Sequence, residues 1–118
     1  MLSHAIKKLL DEATGLKFSP VIGMSEQIPI CSYKLSENSC ETINQATLEV
    51  RIFDEDYDTI EELREKIKNN ICSKENESGK VVNNYFLRIK PTGGGILRGD
   101  DYFDSTQFFY VTFYKKGE

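Results

Sequence analysis

The sequence predicts an α+β fold, an α/β sandwich in which one four- to five-stranded mixed, mainly antiparallel sheet carries two helices on one face. Three observations predict it. Ala46, Leu48, Val50 and Ile52 alternate with Thr47, Glu49 and Arg51, the period of two of a strand with one buried face. Ile60, Leu63, Ile67 and Ile71 then recur at helical spacing, an apolar stripe that must lie on something. The last strand, Gln107 to Tyr114, is apolar on both faces, with Phe109, Val111 and Phe113 on one and Phe108, Tyr110 and Tyr114 on the other.

The elements follow in order. Leu2, Ala5, Ile6, Leu9, Leu10 and Ala13 mark an amphipathic first helix, with His4, Lys7, Lys8, Asp11 and Glu12 on its polar side and Gly15 placed to end it. Leu16 to Gln27, containing Pro20 and Gly23, reads as a connection. Ile28 to Leu35 is a strand whose Pro29 marks an edge position or a strand start. A polar turn, Ser36 to Thr42, then returns the chain antiparallel along Ala46–Asp54. Beyond the acidic turn Asp54–Asp58, Thr59 and Glu62 have the spacing of a capping box, with Asp58 as a competing N-cap. Ser73 to Asn84 reads as a surface loop. Tyr85, Leu87 and Ile89 alternate with Phe86, Arg88 and Lys90 as a strand that Pro91–Gly95 interrupts, and Ile96 and Leu97 begin a short extra strand. The expected order is helix–hairpin–helix–hairpin, with a right-handed connection through the second helix if its flanking strands run parallel.

A chain of 118 residues forms one domain, residues 1–118, and is long enough to bury a real core. The net charge of -4 argues against a nucleic-acid binder that works by neutralising phosphates, and against docking on an anionic membrane. No apolar run approaches the roughly 20 residues of a membrane helix. Lys7, Lys8, Asp11 and Glu12 interrupt the one apolar segment near the N-terminus, so no signal peptide is expected. Cys31, Cys40 and Cys72 are odd in number and form no CxxC pair. They point to a reducing compartment rather than a disulfide scaffold or zinc site, with a Cys31–Cys40 bridge as the minority alternative. The Asn76–Ser78 sequon is a chance match if the protein is intracellular.

Catalytic inventory is thin. Asp54, Glu55, Asp56, Asp58 and Glu61 are acidic enough to hold a hard cation but lack EF-hand spacing, and read as a solvated turn with a helix cap. Asp100, Asp101 and Asp104 form a second acidic cluster, open to a divalent ion or to a basic patch on a neighbour, with a solvated loop as the plainer reading. Gly93–Gly95 is followed by Ile96-Leu97-Arg98 rather than the Lys-Ser/Thr of a P-loop, so it is no nucleotide site. His4 is the only histidine, and neither Ser3 nor Cys72 has an activating base. No enzyme, cofactor or metal is expected.

The second sheet face poses the functional question. With both helices on one side, Phe108, Tyr110 and Tyr114 need a cover. Either Phe18, Val21 or Ile22 folds over them from the early connection, or the face is a subunit interface, where Tyr and Phe are enriched.

The layout also resembles a known family. A leading amphipathic helix precedes a strand ending Cys31-Ser-Tyr-Lys-Leu-Ser36, and Thr47-Leu-Glu-Val-Arg-Ile-Phe53 runs into an acidic turn and the helix Thr59 to Ile71. A glycine-marked segment before Asp100-Asp101 and the closing aromatic strand Phe108 to Tyr114 complete the pattern. It is similar to the tail terminator (tail-completion, minor tail component) family of long-tailed bacteriophages and prophages. The resemblance implies a structural virion protein, assembled in the bacterial cytoplasm and sited at the head-proximal end of the tail. Such a protein forms a homohexameric ring that caps the tail tube, ends its polymerisation and joins tail to head. Its partners are then further copies of itself, the tail tube protein and a head-completion or connector protein. The candidate interface residues are Phe108, Tyr110, Tyr114, Arg98, Asp100 and Asp101. The alternatives are another phage neck or head–tail connector protein, and a small metal-dependent nuclease or regulatory α/β domain using Asp100, Asp101 or Asp104.

Overall fold

The computed structural model describes residues 2–20, 29–39, 44–72 and 80–115. Helix α1 (Leu2–Thr14) is followed by β1 (Ile30–Ser39), β2 (Asn44–Asp54), α2 (Tyr57–Ile71), β3 (Lys80–Val82), β4 (Tyr85–Arg98) and β5 (Phe103–Lys115). The strands form one five-stranded sheet in the order β1-β2-β5-β4-β3. Every strand pair is antiparallel, so the parallel element of the expected mixed sheet is absent from the ladders. β2 and β4 do run in the same direction, but β5 lies between them. The connection through α2 instead enters β3, which runs opposite to β2 with both β5 and β4 between them, so it joins no parallel strands.

Burial in β2 follows the alternation of its sequence: Ala46, Leu48, Val50 and Ile52 are fully buried, and the residues between them are partly exposed. They share one core with Leu2, Ile6 and Leu10 of α1, Ile60, Leu63, Ile67 and Ile71 of α2, Leu87 and Ile89 of β4, and Phe109, Val111 and Phe113 of β5. Both helices therefore cover the same sheet face. Gly15, at φ +76°, ends α1, and its N–H bonds back to the Asp11 carbonyl at 2.8 Å. The Asp11 side chain in turn accepts the Phe18 N–H at 2.8 Å, which steers Phe18 into the helix-side core at 2% exposure. Phe18 is thus no cover for the second face; Val21 and Ile22 lie outside the described residues.

Several boundaries differ from the sequence expectation. β1 runs on to Ser39, through the first half of the expected polar turn; residues 40–43 and the Cys40 pairing lie outside the described residues. The N-cap of α2 is Asp56, not Thr59 or Asp58. Its carboxylate accepts the Asp58 N–H at 3.2 Å and the Thr59 hydroxyl at 2.8 Å, so the expected capping residues serve an earlier cap. Part of the expected Ser73–Asn84 loop is β3. Asn83 and Asn84, at φ +49° and +68°, form the tight turn that pairs Val82 with Tyr85, as a two-residue hairpin with both central residues left-handed requires. The second hairpin is therefore a three-stranded meander.

Nor does Pro91–Gly95 interrupt a strand. β4 is continuous for 14 residues and absorbs the segment with one bulge, in which Thr92 is the extra residue between the Pro91–Phe109 and Gly93–Phe108 pairs. Proline is tolerated because β3 pairs β4 only at Tyr85–Leu87, leaving the outer edge beyond without a strand partner among the described residues. Gly94 is the position that needs glycine: φ is +132°, and an added Cβ would sit 2.2 Å from the Thr106 carbonyl oxygen. Gly94→Ala is expected to cost more than about 1 kcal/mol, whereas Gly93→Ala, which meets open space, is expected to be neutral or slightly stabilising. Urea denaturation midpoints of the two variants check this.

Cys31 is buried at 5% exposure on the helix side of β1. Burial, then the charges of Asp54 and Asp11, push its thiol up to about 12. A thiol held neutral is a poor nucleophile. Its folded pKa exceeds the unfolded value of about 8.5. The stability it contributes is therefore complete below that value and is lost as pH rises toward 12. The expected result is that Cys31 resists alkylation at neutral pH in the native protein and reacts in urea, read by residue-resolved mass spectrometry.

Candidate functional site

The sheet face away from the helices is built by the residues that the core does not use. Across β4, β5, β2 and β1 the register sets Arg88–Thr112–Gln45–Asn38, then Lys90–Tyr110–Thr47–Ser36, then Gly93–Phe108–Glu49–Lys34 in successive rows. Phe86 and Tyr114 close one end of the face as a stacked pair, ring centroids 4.9 Å apart. Phe108 is 37% and Tyr114 54% exposed. Tyr110 is half-buried, beside Arg88, Lys90 and Thr112, which with it line a depression of ≈ 120 Å³.

At the other end of the face an ion pair forms, although Arg51 Nε and Asp104 Oδ1 are buried there without a hydrogen-bond partner. Arg51 donates to Asp104 Oδ2 at 2.8 Å, and its guanidinium carbon lies 5.2 Å from the centre of the Phe53 ring. Phe53 also meets Tyr102 edge-on, with centroids 5.7 Å apart. Asp104 is therefore a strand residue in an ion pair, not a member of a loop cluster with Asp100 and Asp101.

That same end gathers the acidic residues. Asp54 pairs in register with Phe103, and the Tyr57 and Phe103 rings lie 5.4 Å apart, so the start of α2 and the β4–β5 turn are neighbours. Glu55, Asp56 and Asp58 on one side and Asp100 and Asp101 on the other are all exposed there. Asp54 is buried and occupied, accepting the Asp56 N–H at 2.9 Å. Among the described residues no group of three His, Cys, Asp or Glu side chains is arranged to hold a metal ion.

Sequence reasoning named the six interface candidates as one set; the fold divides them into two. Phe108, Tyr110 and Tyr114 lie on the open face, and Arg98, Asp100 and Asp101 at or beside the β4–β5 turn. Arg88 and Lys90, which the sequence shows only as alternating residues of a strand, flank Tyr110. Their alternation with Leu87 and Ile89 was the available signal. Arg64 recurs at the helical spacing of Ile60, Leu63, Ile67 and Ile71, but that spacing does not show what its side chain does. Arg64, on α2, donates to Ser105 Oγ at 2.7 Å, the Thr106 carbonyl at 3.1 Å and the Gly95 carbonyl at 3.3 Å, while Gln107 donates to the Arg64 carbonyl at 3.3 Å. Burial lowers the Arg64 pKa, against the opposing pull of Tyr57, Glu61 and Glu65. The side chain clasps α2 to the bulged part of β4 and to β5, and so fixes the strands that carry both groups of candidates.

No helix among the described residues is long and apolar enough to cross a membrane. No protein-family model matches the chain, and no curated protein matches it.

Proposed function

We propose that this chain is a structural assembly protein of a long-tailed phage or prophage, a tail terminator whose copies close into a ring, most simply a hexamer. The ring caps the tail tube, stops its growth and offers the surface that joins the head. The observation that carries this reading is the sheet face where Phe108, Tyr110 and Tyr114 form a row along one strand with no helix over them among the described residues. A soluble domain that leaves such a row on a rigid sheet has a surface suited to a protein partner. A cyclic assembly needs two different patches on each subunit, and the six candidate residues fall in two places. The net charge of -4 also fits a ring around a channel through which DNA must pass without being gripped.

The test is to polymerise tail tubes with and without the purified chain and image their ends by negative stain. Rings seated on the ends of shortened tubes are the expected result. Rings that leave tube ends bare and bind portal complexes would instead assign the chain to the connectors of the neck. Magnesium-dependent cleavage of DNA, lost in Asp101→Ala, would replace both readings with a nuclease.

A further inference from the structure

Resting on that ring reading, we infer which surfaces join: the acidic end of one copy seats against Arg88, Lys90 and Tyr110 on the open face of the next. The two patches belong to opposite ends of the same sheet. Arg98 pairs with Phe103 beside the acidic turn, whereas Arg88 pairs with Thr112 nine residues further along β5. At the rise of a β-strand that separation is about 30 Å. It is several times the screening length of about 8 Å at physiological salt, so the patches cannot neutralise one another within one chain. Across two chains they can.

Of the other cations described on the face, one is in an ion pair and one has an acidic neighbour in the register. Arg51 is paired with Asp104, and Lys34 stands opposite Glu49 in the β1–β2 register. Arg88 and Lys90 are the exposed pair left facing the depression at Tyr110. Two cations are too few for a nucleic-acid track, which needs a basic stripe along the whole strand path. They are enough to choose and orient an acidic partner, and the chain itself presents one in Asp100 and Asp101, with Glu55, Asp56 and Asp58 beside them. Aromatic Phe108 and Tyr110 then supply the desolvated centre of the contact and the charges its rim. Because the joined patches differ, each subunit uses one to receive and the other to enter, which is the head-to-tail geometry that closes rings.

Charge reversal tests the assignment. One variant carries Arg88→Glu with Lys90→Glu, the other Asp100→Lys with Asp101→Lys, and both are checked for native circular dichroism before their masses are measured by light scattering. Each alone is expected to need about a hundredfold higher concentration to assemble than the unmodified chain. An equimolar mixture is expected to recover assemblies of even subunit number, because each altered patch then finds its complement on the other variant. If the unmodified chain forms rings and both variants form them equally well, the rings use other surfaces: this inference fails and the ring reading stands. An unmodified chain that stays monomeric overturns both. Tight binding of a single-stranded oligonucleotide, abolished by Arg88→Glu with Lys90→Glu, would reassign the open face to nucleic acid.

Discussion

Phe109→Ala is expected to destabilise the fold by about 3–5 kcal/mol, while Phe108→Ala one residue earlier is expected to cost only about 1 kcal/mol. The two side chains are chemically identical and share a strand; only the face differs. Phe109 is 1% exposed, inside the single core that joins both helices to the sheet. Its removal takes away the transfer energy of a whole ring and leaves a cavity that two helices and three strands cannot all collapse into. Against a total stability of roughly 5–15 kcal/mol for a domain of this kind, that loss is enough to leave a large fraction unfolded near physiological temperature. Phe108 stands opposite Gly93 and Glu49 in the ladder and is 37% exposed. Its loss is expected to appear far more in assembly than in the urea midpoint. Equal destabilisation by both substitutions would mean that the open face is part of the core.

Tyr110→Asp is expected to abolish assembly at concentrations where the unmodified chain is fully associated, with its melting temperature lowered by only a few degrees. Tyr110 is half-buried between Lys90 and Thr47 in the register, and its ring borders the depression that Arg88 and Lys90 line. A carboxylate there stays solvated in the monomer, beside two cations, so folding tolerates it. In the proposed contact the same carboxylate would face the acidic end of the next subunit without solvent, and like charges brought together in that way cost several kcal/mol. Sizing and thermal melting on one preparation separate the two effects. A variant that unfolds in step with its loss of assembly would make Tyr110 a core residue.

What the sequence made legible was whatever repeats with a period. β2 and α2 were readable because Ala46–Ile52 and Ile60–Ile71 carry clean alternation and a clean helical stripe, and the structure buries those residues. Short or interrupted elements were not. β3 has three residues, too few to show a period, and its one local signal, Asn83-Asn84, lay at the end of a polar stretch. In β4, Pro91 and three glycines outweighed the strand pattern on either side. The edge position and the Thr92 bulge that make them harmless are facts about neighbouring strands, which a one-dimensional reading does not contain. The cap of α2 was misplaced by competition: Asp56, Asp58 and Thr59 all have capping side chains, and the chain's path from β2 decides among them. The same limit applies to the interface. That Phe108, Tyr110 and Tyr114 share a face follows from a period of two, but their distance from Arg98, Asp100 and Asp101 follows only from the length and pairing of β4 and β5.

The most direct test of the ring is the mass of the particle in solution. Light scattering behind a sizing column, across protein concentration and ionic strength, is expected to give a single closed species of fixed subunit number, with negative-stain images showing rings. It is expected to weaken as salt rises, because Arg88, Lys90, Asp100 and Asp101 are exposed before they meet. A particle with the mass of one chain at every concentration and salt would contradict the account and leave the open aromatic face without the partner proposed for it.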